Sequence, residues 1–145
     1  MNNRNPLELE YVKYDEAKAL KELGFEDPCL FAFDRIQMRC SNLLTDEQKF
    51  NGVNYNSSGN YTSQPSYSQA FRFFRQKHDI DIHIYEYFGE QGFDFDTYSD
   101  SPEGETDRGN MPYDSYEEAE LACLRALIND VKEKNDQRRT TSERA

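Results

Sequence analysis

Residues 115–134, SYEEAELACLRALINDVKEK, constrain this chain more than any other stretch. Ser115 and Glu118 have the spacing of a capping box, in which serine and glutamate satisfy orphan amides at a helix start. Ala119, Ala122, Cys123, Ala126, Leu127 and Val131 then recur at helical spacing. Leu121, Leu124 and Ile128 widen the apolar stripe, so the helix is expected to be covered on more than one side. Lys132 and Lys134 close it, where cations suit the negative end of the helix dipole.

The rest of the chain must supply that cover. A length of 145 residues suits one domain with one core. Charged residues reach 31% and apolar ones only 36%, so the core depends on aromatics. These make up 14%, all Tyr and Phe, and each buries a large area. No apolar run approaches the roughly 20 residues of a membrane span. The opening MNNRNPLELEY lacks a signal-peptide core, and a cytoplasmic setting is expected. Cys29, Cys40 and Cys123 have no metal-ligand spacing, and an odd count argues against a disulfide framework.

Taken in order, residues 1–10 read as a loose arm. Asp15 is placed to cap a short helix, DEAKALKEL, and Gly24 to end it in a left-handed turn. Phe25 then falls at C″ over Leu20 at C3, the apolar contact of a Schellman ending. CLFAF at 29–33 reads as a buried strand. Residues 35–64 carry NGVNYNSSGNYTSQ and read as a polar loop or weak hairpin. A second capping box, Ser66 with Gln69, opens a helix whose stripe is Tyr67, Ala70, Phe71, Phe74 and His78. Phe73 lies off that stripe, so it either packs sideways or is exposed. The period then changes to two. Ile80, Ile82 and Ile84 alternate with Asp81, His83 and Tyr85, and Phe93 and Phe95 with Asp94 and Asp96. These two strands should form an antiparallel hairpin across a turn at 89–92. Residues 99–114 read as a long acidic loop with an edge strand conceivable near Met111 to Tyr113, and residues 135–145 as a disordered tail.

Two resemblances attach to these residues. YDEAKALKELGF at 14–25, QAFRFFR at 69–75 and SYEEAELACL at 115–124 resemble a family of small uncharacterised phage and prophage proteins of Bacteroidota. The likeness implies a phage setting and assigns no catalytic or ligand residues. The order helix, strand, strand, optional third strand, helix also resembles the double-stranded RNA-binding domain. That domain holds phosphates with lysines at the start of its last helix. Here Glu117, Glu118 and Glu120 stand there, so RNA binding is not implied.

Charge supports that exclusion. Net charge is -11, and between Asp79 and Glu120 fourteen acids face one base, Arg108. Such a surface repels phosphate backbones, and no nucleic-acid binding is expected. His78, Asp79, Asp81 and His83 are ligand-type residues in close sequence, but a polar strand face is the simpler reading. Asp94, Asp96, Asp100 and Glu105 match four positions of a calcium loop. Ser99 stands where the sharp turn wants glycine, so the match carries no calcium site. No phosphate loop, nucleophile elbow or dinucleotide fingerprint is present.

The reading is therefore an α+β fold, a small antiparallel sheet with helices on one face, occupying residues 11–134. No cofactor, metal or catalytic residue is assigned. The expected function is non-enzymatic binding of a protein partner. The candidate surface is Asp94, Asp96, Asp100, Glu103, Glu105, Asp107 and Glu117, with Arg72 and Arg75 as a small basic patch. An acidic decoy that imitates nucleic acid before a host protein is the alternative.

Overall fold

A computed structural model describes residues 6–40, 51–86, 92–99, 107–108 and 113–143. The chain is α+β, as expected, but its strands divide between two three-stranded antiparallel sheets rather than one. Two compact units contain them, Met1–Phe73 and Phe74–Ala145.

The first unit begins with α1 (Pro6–Glu10) and α2 (Tyr14–Glu22). The expected loose arm is thus partly helical; Pro6 holds the first helical position, where a missing N–H costs nothing. The N-cap of α2 is Lys13, without a side-chain hydrogen bond, and Asp15 lies inside the first turn. Asp15 therefore supplies charge to the dipole instead of a cap. The other end matches expectation. Gly24 takes φ +93, its amide donates to the Lys21 carbonyl, and the Phe25 amide donates to Leu20. Leu20 and Phe25 are both buried beneath that ending.

Strand β1 (Phe31–Phe33) is central, flanked by β2 (Arg39–Cys40) and β3 (Thr62–Gln64). Ala32 sits opposite Cys40 on one side and Ser63 on the other. Both flanking strands come from the stretch expected to be a loop or weak hairpin. Apolar periodicity did not reveal them because polar side-chain bonds fix the backbone there. Asn56, in a 3₁₀ turn at Tyr55–Ser57, donates through Nδ2 to the Phe25 carbonyl and accepts the Ser63 amide, both at 2.8 Å. The Lys21 ammonium donates to the Tyr61 and Ser58 carbonyls at 2.7 and 3.3 Å. Cys29 and Val53 exchange backbone bonds of 2.9 Å, with Gly52 (φ +75) against Cys29.

Helix α3 (Tyr67–His78) opens on the expected capping box: Gln69 N–H donates to Ser66 Oγ at 3.2 Å, and Ser66 N–H to Gln69 Oε1 at 3.1 Å. Phe73 is buried and meets Phe25 edge-on at 5.5 Å, so it packs sideways. The division between units falls within this helix.

In the second unit, Asp79 alone joins α3 to β4 (Ile80–Glu86), at φ 53. Aspartate tolerates that left-handed conformation better than most residues. β4 pairs antiparallel with β5 (Phe93–Ser99), setting Ile80, Ile82 and Ile84 opposite Ser99, Thr97 and Phe95. Of the turn expected at 89–92, only Gly92 is among the described residues. A third strand exists, β6 (Asp107–Arg108), with Arg108 opposite Asp96; a bridge between Phe93 and Tyr113 extends the same edge. Met111 lies outside the described residues. The edge was hard to read because two charged residues, Asp107 and Arg108, make up β6, as charged residues do on edges guarded against further pairing.

Helix α4 (Tyr116–Glu143) packs against β5 and β4. Ala119, Cys123, Leu124, Leu127, Ile128 and Val131 are buried on it. Ser115 Oγ accepts the Glu118 amide at 3.1 Å, while the Glu118 carboxylate reaches the Asp114 amide instead of Ser115. The expected disordered tail is helical to Glu143. Its residues are ordinary helix formers, and helix requires no apolar stripe where a buried half already provides the nucleus.

Candidate functional site

The acidic surface expected from sequence is only partly assembled. Asp94 is 5% exposed, and its Oδ1 accepts the Phe95 amide at 2.8 Å, so it presents no surface charge. Asp96 is half-buried and accepts a bond from Tyr98 Oη at 3.2 Å. Glu117 is exposed in the first turn of α4. Asp107 is placed in β6, opposite Thr97. Asp100, Glu103 and Glu105 lie outside the described residues. Arg72 and Arg75 are both exposed on α3, as expected.

The ligand-type residues do not converge. His83 shares a strand face with Asp81 and sits opposite Asp96, but His78 ends α3 and Asp79 occupies the turn. Among the described residues no group of three or more His, Cys, Asp or Glu side chains could hold a metal ion. The calcium-loop template is likewise unmet, because Asp94 and Asp96 belong to an extended strand. His78 is half-buried at the last position of α3. Burial pushes its imidazole pKa down, and Arg138 and Lys134 add to that against the pull of Asp79.

The thiols are poorly placed for chemistry. Cys29 and Cys123 are buried. Burial, with Asp27 nearby, pushes Cys29 up to about 12, which suppresses the reactive thiolate.

The first unit presents a different surface. Between β1 and β2 the chain reverses through residues 34–38. The Asp34 amide donates to the Met38 carbonyl at 2.9 Å and the Gln37 amide to the Asp34 carbonyl at 3.1 Å. Gln37 takes φ 62, so the loop resembles the three-residue hairpin in which a type I turn ends on a left-handed residue. Asp34 Oδ1 accepts the Ile36 and Met38 amides at 3.0 and 2.9 Å. Arg35 donates to the side-chain oxygen of Asn60, tying the tip to the chain before β3. On this fixed backbone Ile36 is 77% exposed and Met38 60%. Beside them, Asp34, Arg35, Ile36, Asn60 and Tyr61 line an open depression of about 470 Å³.

Sequence reasoning passed over this tip because two isolated apolar residues make no periodic pattern. The available signal was Asp34 heading RIQM, a turn-forming aspartate followed by apolar residues with no partner strand face. No family model matches the chain, and comparison with curated proteins and with solved structures found no match.

Proposed function

We propose that this protein acts without catalysis, by binding another protein through the hairpin tip at residues 34–38. The observation that carries the reading is the exposure of Ile36 and Met38 on a turn held by its own hydrogen bonds. A flexible loop could fold such side chains back; this turn holds them out. Burying each in a partner's pocket would contribute roughly 1.5–3 kcal/mol, and a pre-formed turn loses little entropy on docking. Arg35 and the neighbouring depression give the surface a polar rim.

The setting that accompanies this reading is a phage or prophage of Bacteroidota, with the protein in the host cytoplasm. Among the described residues no helix is long and apolar enough to cross a membrane.

The acidic-decoy reading draws on a different surface. Asp114, Glu117 and Glu118 are exposed at the start of α4, and Asp79, Asp81 and Glu86 are exposed at and along β4. Their like charges also favour the absence of nucleic-acid binding. An affinity capture from bacterial lysate at low and high salt separates the two. Binding through the tip should survive salt and fail in an Ile36→Asp, Met38→Asp double variant. Decoy binding should do the reverse.

A further inference from the structure

A second feature of the first unit is independent of the hairpin tip's apolar pair. A cavity of about 290 Å³ opens beside α1, α2 and β1, lined by Tyr11, Tyr14, Phe33, Lys13, Arg39 and Gln64. That volume lies near the lower end of small-ligand pockets, about 300–1,000 Å³, so the occupant is no larger than a mononucleotide or an amino acid.

Two cations on the wall are chemically incomplete, and one polar side chain there is fixed in place. Gln64 is 8% exposed, and its Nε2 donates to the Val12 carbonyl at 2.9 Å. A carbonyl accepts only from the nitrogen, so the amide's orientation is settled and Oε1 is the remaining acceptor. That oxygen is buried with no hydrogen-bond partner among the described residues. Closed even to water, that oxygen is out of a ligand's reach, so Gln64 gives the wall a fixed side chain. The Arg39 guanidinium lies 3.8 Å from the Phe31 ring centroid and 4.8 Å from that of Tyr11. Its faces are therefore engaged while its in-plane N–H fork meets no acceptor among the described residues. The Lys13 ammonium likewise has no acceptor among them. Against these two cations the described lining holds one acid, Glu8, so among the described residues the wall carries more positive than negative charge in a protein whose net charge is -11.

The rings complete the specification. Tyr11 meets Phe31 edge-on at 5.0 Å, and Tyr14 meets Phe33 edge-on at 5.4 Å, which fixes Tyr11, Tyr14 and Phe33 as aromatic walls. From these contacts we infer that the cavity binds a small planar ring bearing an oxyanion. The ring lies against Tyr11, Tyr14 and Phe33, and the oxyanion takes the Arg39 fork with Lys13 beside it. Both a nucleoside monophosphate and an aromatic amino acid carry that chemistry.

The two sources separate in a titration of the ¹⁵N-labelled full chain followed by NMR. The probes are guanosine 5′-monophosphate, uridine 5′-monophosphate, tryptophan and inorganic phosphate, each to millimolar concentration. At least one ring-bearing probe should shift the amides of Tyr14 and Phe33 and the Gln64 side-chain amide. Phosphate alone should bind at least tenfold more weakly. Arg39→Ala and Lys13→Ala, both at exposed positions, should each weaken binding, Arg39→Ala by tenfold or more. Shifts from the nucleotides alone, or from tryptophan alone, identify the source. The proposal is overturned if no ring-bearing probe shifts these amides, if phosphate alone binds as tightly, or if binding is unchanged in Arg39→Ala.

Discussion

The Phe25 amide donates to the Leu20 carbonyl at 3.0 Å, across a glycine at φ +93. That bond and the buried contact beneath it turn α2 toward β1, and only Gly24 makes the turn without strain. A Cβ at Gly24 would meet nothing within 4 Å, whereas one at Gly52 would lie 3.1 Å from the backbone of Cys29. Gly24→Ala should therefore cost only the left-handed conformation, about 1–2 kcal/mol. Gly52→Ala adds a collision with backbone that cannot swing aside and should cost distinctly more. Urea midpoints of the two variants check the order.

Asn56 holds two chain segments that share no strand. Replacing it by alanine leaves the Phe25 carbonyl and the Ser63 amide without their 2.8 Å partners. The loss should be about 2 kcal/mol, since each orphaned group costs about 1–3 kcal/mol when water cannot reach it and less when it can. Hydrogen exchange at the Ser63 amide should accelerate together with that loss.

Leu127 is fully buried on α4, while Asn129 is exposed on the same helix. Leu127→Ala should destabilise by about 2–5 kcal/mol, and Asn129→Ala should stay within about 0.5 kcal/mol. Equal denaturation midpoints would place the wrong face of α4 against the sheet.

His78 gives the second unit a dependence on pH. Burial first, then Arg138 and Lys134, hold its imidazole pKa below the usual 6.5, against the opposing effect of Asp79. A group depressed in the folded state contributes stability that is complete above its unfolded pKa and is lost as pH falls through the folded one. The His78 ring protons, followed by NMR, should titrate with a midpoint under 6.5, and Arg138→Ala should raise it. Stability of the second unit should fall as the solution is acidified from pH 6.5. A midpoint at or above 6.5 would contradict the burial that produces this.

The legible parts of the fold were those written in apolar period and capping pairs. Gly24 and Phe25 ended α2 as their types dictate, Ser66 with Gln69 opened α3, and Ile80 to Ile84 alternated into β4. The sheet of the first unit was not legible, because β3 is held by Asn56 and Lys21 over long separations and β2 by the turn around Asp34. Polar contacts between distant residues leave no local rhythm. One member of the candidate surface, Asp94, was misplaced for a related reason. Charge counting put Asp94 outside, where alternation with Phe93 and Phe95 also placed it, yet it is buried with a backbone amide as partner. Ile36 and Met38 escaped notice because their exposure follows from the turn around Asp34, a property of hydrogen bonds and not of composition.

Site-specific photo-crosslinking tests the proposed binding surface most directly. A photoreactive amino acid is placed at position 36 of the hairpin tip and, separately, at position 137, exposed on the far half of α4. Both proteins are irradiated in lysate of a Bacteroidota bacterium at high salt. Position 36 should yield a discrete protein adduct that Met38→Asp abolishes, and position 137 should not. Adducts of equal yield at both positions, or none at position 36, would contradict binding through the tip.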